Sequence, residues 1–259
     1  MLSGNLGRSL EELSYARCTS CGSLIAIDGR RDPELLAEVY RTLPDSYWSR
    51  LNPQTNFGRV IDRHLSQRRD GGDLWDIGCG SGYLLESLEN RWTKHGIEPG
   101  IRAVTLANQR GLEVHAGTAG ALGLNQVADA ALMVDVVEHL ADPVTELRAV
   151  AEMLRPGGVL IVFTGAADAW TARVAGSLWY YLHCIGHVTV FSRSGLVGML
   201  IKLGFTNVQT HRIEHPGGVG MAEWLRRIGG NGMRRASGRP AAAMHYYRDH
   251  QLVVASKPR

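Results

Sequence analysis

The sequence predicts an α/β fold built on a doubly wound, mostly parallel sheet, and three features carry that expectation. From Asp73 onward, short apolar segments alternate with amphipathic ones, the order of successive strand–helix units. Val159-Leu-Ile-Val-Phe163 is apolar at every position, as a central strand buried on both faces requires. A glycine turn, Gly78 to Gly82, separates the first strand of this region from its first helix. The 259 residues suffice for one such core with further elements attached.

Residues 1–30 form an N-terminal segment that carries a cysteine pair. Residues 31–72 read as N-terminal helices. Leu35, Leu36, Val39 and Tyr40, then Val60, Ile61 and Leu65, recur at helical spacing from Asp32 to Arg69. Asp32-Pro33 is a helix start, and Asp70-Gly-Gly72 a stop. Residues 73–259 are the main domain. Its strands are expected at Leu74–Ile77, Lys94–Glu98, Leu112–His115, Ala128–Asp135 and Val159–Phe163. Helices are expected at Tyr83–Arg91, Ile101–Gln109 and Pro143–Leu154, the last stopped by Pro156-Gly-Gly158. Beyond strand five, an aromatic stretch within residues 165–190 reads as a lid. Ser192–Leu203 is a helix, Phe205–Ile213 a sixth strand and Gln251–Ser256 the last. Residues 216–247 read as an insertion with a helix and a flexible basic loop.

Composition narrows the function classes. Hydrophobic residues make up 44% and charged residues 20%, an ordinary globular balance. A net charge of +3 does not by itself argue for nucleic acid, although Arg226, Arg227, Arg234, Arg235 and Arg239 crowd one stretch. Four cysteines do not make a disulfide scaffold, and Glu11 and Glu12 arrive too early for a signal peptide, so a cytoplasmic location is expected. Val174–Ser192 lacks Asp, Glu, Lys and Arg but is diluted by glycine, serine, threonine and histidine, so no transmembrane segment is expected.

The loop Asp76-x-Gly78-x-Gly80-x-Gly82 lets the backbone turn tightly and approach a ligand closely. It lacks the third glycine of a dinucleotide fingerprint, because Tyr83 and Leu85 stand at the two positions where that glycine would fall. No P-loop run is present. Glu98 closes the second strand, where a carboxylate accepts hydrogen bonds from both hydroxyls of a ribose and disfavours a phosphate on it. Asp76 adds a negative group suited to a cationic amino-acid moiety. Together they suit a nucleoside with an uncharged sugar. The bland alternative is a glycine turn plus an acid that caps a helix.

The stretches LWDIGCGSGYLLESL, HGIEPG, ADAALMVDVVEHLADP, EMLRPGGVLIVFTG and GHVTVFSRSGLVGMLIKLGF span roughly residues 74–210. In these, and in their order, the chain resembles class I S-adenosylmethionine-dependent methyltransferases. The resemblance is to the branch that includes ubiquinone-pathway O-methyltransferases and many sugar and natural-product methyltransferases. It implies a Rossmann-like seven-stranded sheet with an antiparallel last strand, S-adenosylmethionine as cofactor and a small-molecule acceptor, most readily methylated at oxygen. Asp76, Gly78, Gly80 and Gly82 would line the methionine half of the cofactor, with Cys79 and Tyr83 in and beside the loop. Glu98, followed by Pro99, would hold the ribose. Asp135 and Val136 would face the crevice from the end of strand four. Thr118 stands where the family often has an acid for the adenine amino group.

Two histidines are candidate bases. His139 follows Glu138 at the end of strand four, either as a base or as half of a structural pair. His187 precedes Phe191-Ser192, either as a base or as a residue that fixes the lid. Trp170, Leu178, Trp179, Tyr180, Tyr181 and Leu182 would wall the acceptor pocket, form ordinary core, or, with the basic stretch, touch a membrane surface. Cys18 and Cys21 make half of a zinc site, completed only by a second chain or by recruited histidines, or a metal-free relic; no other metal is expected. Two further readings stand beside the enzyme: a regulatory binding module of the same fold, and a nucleic-acid methyltransferase, which lacks the Asn/Asp-Pro-Pro-Tyr type of motif.

Overall fold

A computed structural model describes residues 13–29, 31–42, 55–67, 70–215, 218–244 and 247–259. The N-terminal segment contains a hairpin, β1 (Tyr15–Arg17) and β2 (Leu24–Ala26), with Cys18 and Cys21 in its turn. Helix α1 spans Pro33–Thr42 and α2 spans Thr55–Ser66. These two helices lie within the expected helical region, while its middle, residues 43–54, and its end, residues 68–69, lie outside the described residues.

The main domain follows as β3 (Gly72–Ile77), α3 (Tyr83–Ser87), β4 (Trp92–Glu98), α4 (Ile101–Gln109), β5 (Glu113–Ala116), α5 (Ala119–Leu122), β6 (Ala128–Val134), α6 (Pro143–Met153) and β7 (Leu154–Gly165). After these come α7 (Trp170–Ala175), two short 3-10 turns, β8 (Thr189–Val190), α8 (Arg193–Lys202), β9 (Thr206–Ile213), α9 (Met221–Ala236) and β10 (His250–Ser256). The seven-stranded sheet has the order β5-β4-β3-β6-β7-β10-β9, and a smaller sheet has the order β1-β2-β8. Strands β3 to β7 are parallel, while β10 runs antiparallel to both β7 and β9. The doubly wound sheet with a reversed strand is therefore present.

Side-chain alternation divides the core into two layers. Trp75, Ile77, Ala131, Met133, Leu160 and Val162 pack on one face. Leu74, Ala130, Leu132, Ile161, Phe163 and Leu252 pack on the other. Ile61 and Leu65 of α2 are buried in that second layer, so α2 shares the core of the main domain, whereas Leu36 of α1 packs with Ala26 and Val188.

Several elements differ from expectation. Helix α3 ends at Ser87 because Leu88 is already extended, at φ −79° and ψ 155°, and β4 begins at Trp92. Strand β7 begins at Leu154, since Leu154 pairs with Ala128 and the Arg155–Gly158 stretch forms an irregularity between that pair and Val159. Helix α5 has no sequence pattern of its own; Thr118 caps it through Ala121 N, and Glu146 accepts from Ala119 N and Gly120 N. Arg226, Arg227, Arg234 and Arg235 belong to α9, not to a loop. Arg226 and Arg227 both pair with Glu223, at 2.7 and 2.6 Å. Among the described residues, no helix is long and apolar enough to cross a membrane.

Candidate functional site

Strand order reverses between β3 and β6, and in open α/β sheets such a switch point opens a crevice beyond the C-terminal strand ends. The glycine loop lies there. Gly78, Gly80 and Gly82 have φ of 72°, 54° and 82°, a region costly for residues with a Cβ. A Cβ on Gly78 would lie 2.5 Å from Val136 Cγ2, so the loop packs directly against the end of β6. Gly78 N and Cys79 N donate to Ile97 O, at 2.7 and 3.2 Å.

Glu98 ties the loop to β4. Its two carboxylate oxygens accept from Gly80 N at 2.9 Å and Gly100 N at 2.7 Å. Burial still pushes its carboxyl up, against the pull of these two bonds. Asp76 is 2% exposed. Burial, and then the like charge of Glu98, raise it to about 8 from the ordinary 3.8. Two buried carboxylates side by side are an unfavourable arrangement that a bound cation relieves. Cys79 is a packing residue: a Cβ on Gly96 would meet its Sγ at 2.5 Å, and burial, then Asp76 and Glu98, hold its thiol protonated. Tyr83 is covered by Arg110, 3.9 Å from its ring centre, and Arg110 also donates to Ser81 O at 2.8 Å. Pro99 links Glu98 to Gly100, one of the two donors to its carboxylate. Thr118, whose hydroxyl caps α5, stands just beyond β5.

The end of β6 carries the second part of the site. Asp135 has φ 53°, and its Oδ2 lies 3.6 Å from His215 Nε2. Burial would raise its carboxyl, but His215, with His250 and His187 beyond, holds it below the usual range. Glu138 is fully buried, accepting from Tyr181 OH and, at 2.9 Å, from Thr164 Oγ1. Tyr181 OH also accepts from Gly165 N at 2.9 Å, so Glu138 fastens the segment after α7 to the end of β7. The two candidate bases come together, with His139 and His187 ring centres 4.7 Å apart and edge-on. Burial, and then His187, lower the pKa of His139. His187 Nδ1 donates to Tyr181 O at 2.7 Å, and Tyr15 OH donates to His187 O at 2.8 Å.

The expected aromatic wall divides. Trp179 and Tyr181 are each 2% exposed and stacked at 5.0 Å, so they are largely core, whereas Trp170 and Tyr180 face outward. A cavity of about 890 Å³ lies between the hairpin and this segment, lined by Tyr15, Arg17, Ala172, Arg173, Trp179 and Leu182 among others. It lies apart from the glycine loop and reaches His187 through Tyr15. Sequence reasoning missed Glu138's partners Tyr181 and Thr164, and also His215, His250 and Asp249; these last lie outside any local motif. Cys18 and Cys21 are both free thiols, close to the N-terminus of α8 through the Cys21 O bond to Ser192 Oγ.

The chain is similar to several known proteins. The ubiquinone biosynthesis O-methyltransferase of Nitrosospira multiformis is 36% identical over 107 residues, 38% of this chain and 44% of the relative. That of Cereibacter sphaeroides is 38% identical over 131 residues, covering 46% and 53%. That of Paramagnetospirillum magneticum is 29% identical over 177 residues, covering 58% and 70%. The match thus spans about half the length of the first of these curated relatives. Among solved structures, phosphoethanolamine N-methyltransferase 2 of Haemonchus contortus, in complex with phosphomonomethylethanolamine and S-adenosylhomocysteine, superposes with a TM-score of 0.56 at 14% identity, over 79% of this chain and 53% of that one. A SAM-dependent methyltransferase of Archaeoglobus fulgidus gives 0.51 at 16% identity, over 77% and 94%. These two share the fold. The methyltransferase-domain family matches residues 47–210, most of the chain, and with the glycine loop, the acid at the end of β4 and the switch-point crevice in place, the chain belongs to that family.

Proposed function

We propose that this chain is an S-adenosylmethionine-dependent methyltransferase that methylates a small molecule at oxygen. The observation that carries this reading is the buried Asp76–Glu98 pair beneath three left-handed glycines at the switch point. Its chemistry fits the cofactor: backbone donors and buried acidic groups suit a nucleoside that carries positive charge. Asp76 would face the cationic methionine half and Glu98 the ribose. The curated relatives named as ubiquinone biosynthesis O-methyltransferases favour oxygen as the methyl acceptor.

Bound S-adenosylmethionine supplies the methyl group together with its own leaving group. The protein orients the acceptor, excludes water and takes the proton that the hydroxyl loses. His139, kept neutral by burial, is able to accept that proton. His187 has Nδ1 committed to Tyr181 O, which leaves Nε2 as its accepting nitrogen. The cavity lined by Tyr15, Trp179 and Leu182 would take the body of the acceptor, with Arg17, Arg173 and Asp168 as its charged groups.

Calorimetric titration with S-adenosylmethionine tests the cofactor assignment, and transfer of labelled methyl to a panel of phenols, sugars and amines tests the chemistry. Saturable binding at one site per chain is expected. Absence of binding would overturn the enzyme reading in favour of a regulatory module.

A further inference from the structure

We infer that Asp135, His215 and His250 form a binding site for one divalent first-row transition ion of the zinc, iron or manganese class. Each of the three residues offers a ligand atom, and these atoms lie within 4.8 Å of one another. They come from three places in the chain: the residue after β6, the segment after β9 and the first residue of β10. Two imidazoles and one carboxylate form a set that suits such ions better than calcium or magnesium, which favour all-oxygen cages.

His215 and Asp135 lie within ion-pair reach of each other. At 3.6 Å their atoms are too far apart for a hydrogen bond. That distance is close to the separation, about 3.4 Å, of two tetrahedral ligands each about 2.0–2.1 Å from a shared ion. Asp135 Oδ1 is buried with no hydrogen-bond partner among the described residues. Asp135 also has a positive φ, 53°, a region that aspartate and asparagine enter more readily than other non-glycine residues.

The third ligand carries the second, independent observation. His250 Nδ1 donates to Asp249 Oδ1 at 2.8 Å, which commits Nε2 as the ligating nitrogen. Asp249 is itself held by Trp179 Nε1 at 2.5 Å, and Asp249 and His250 are each 1% exposed. A buried carboxylate that fixes a histidine's tautomer and ring orientation is the usual outer support of a metal-ligating imidazole. The neighbouring group Glu138, His139 and His187 also lies within ligand distance, but Glu138 already accepts from Tyr181 and Thr164, and His187 Nδ1 is bonded to Tyr181 O. Three protein ligands leave the ion open positions for water or an oxygen-bearing ligand. This inference does not depend on methyl transfer.

The test is titration of chelator-stripped, full-length protein with Zn²⁺ by calorimetry and with Co²⁺ by visible absorption. One ion per chain is expected. His215→Ala, at a half-buried position outside the core, should lose at least tenfold in affinity while its circular dichroism and melting remain those of the stripped parent. Asp249→Asn should weaken binding by about 10–100-fold. Cys18→Ser/Cys21→Ser and His139→Ala should bind as the parent does. Absence of saturable binding, or full affinity in His215→Ala, would overturn the site. So would loss of binding that follows the cysteines or His139 instead. Should His250→Gln fail to fold, His215→Ala still decides.

Discussion

Asp76→Asn separates the energetic role of the buried acid from its shape. Asparagine keeps the size of aspartate but carries no charge and replaces one accepting oxygen with an amide donor. In the free protein, burial and the charge of Glu98 place Asp76 at about 8, against an ordinary 3.8. A carboxyl that holds its proton more tightly in the folded chain stabilises the fold fully below the ordinary value and loses that contribution as pH rises toward about 8. At about 1.4 kcal/mol per pH unit, the ceiling on this loss is about 6 kcal/mol. Relaxation and water entry raise the effective dielectric constant of a buried site, so a difference of about 2–4 kcal/mol is expected. Losing Asp76 also removes a like charge from Glu98, which acts in the same direction. Urea melts of parent and Asp76→Asn, without cofactor, should differ by a constant amount below about pH 4 and shift steadily from there to about pH 8.5 in favour of the variant. S-adenosylmethionine affinity should rise with pH in the parent, by up to tenfold per unit, and be weak and flat in the variant. Parallel stability–pH curves for the two proteins would refute the argument.

Five further substitutions probe the rest of the site. Gly78→Ala places a Cβ 2.5 Å from Val136 Cγ2 at φ 72°, so calorimetry should detect little or no S-adenosylmethionine binding, while parent-like affinity would show that the loop has room to give. Tyr181→Phe withdraws one donor from buried Glu138 and should cost about 1–3 kcal/mol of unfolding free energy in denaturant melts. Ser177→Trp, at the exposed lip of the cavity, should raise KM for the acceptor and leave cofactor affinity unchanged; an unchanged KM would remove the cavity from the acceptor site. His187→Ala should lower kcat by about 10²–10⁴-fold with cofactor binding intact if His187 takes the proton, and His139→Ala provides the same comparison for its neighbour.

How far the sequence could be read follows from how local each signal is. The strands β3, β4 and β6 are short and bounded by glycine or acidic residues, so pattern and punctuation locate them within two residues. The glycine loop was legible because positive φ at three alternate positions leaves glycine as the natural residue. The start of β7 was not, because Arg155-Pro-Gly-Gly158 reads as a helix stop, while the pairing of Leu154 with Ala128 is decided by β6. The hairpin β1–β2 was missed for a related reason. Its three-residue strands have no period to detect and are completed by β8, more than 160 residues away in the chain.

The sequence by itself determined the sheet, the nucleoside-binding loop and the acid at the end of β4, because each rests on contiguous residues whose backbone and spacing carry the information. Only the tertiary structure decided what surrounds Asp135 and Glu138. His215 reaches Asp135 from beyond β9, His250 comes from β10, and Tyr181 and Thr164 converge on one buried carboxylate. Such groups meet because the reversed strand β10 inserts between β7 and β9. Isolated histidines and tyrosines far apart in a chain carry no local mark of that meeting, since the packing that unites them is a property of the folded sheet alone.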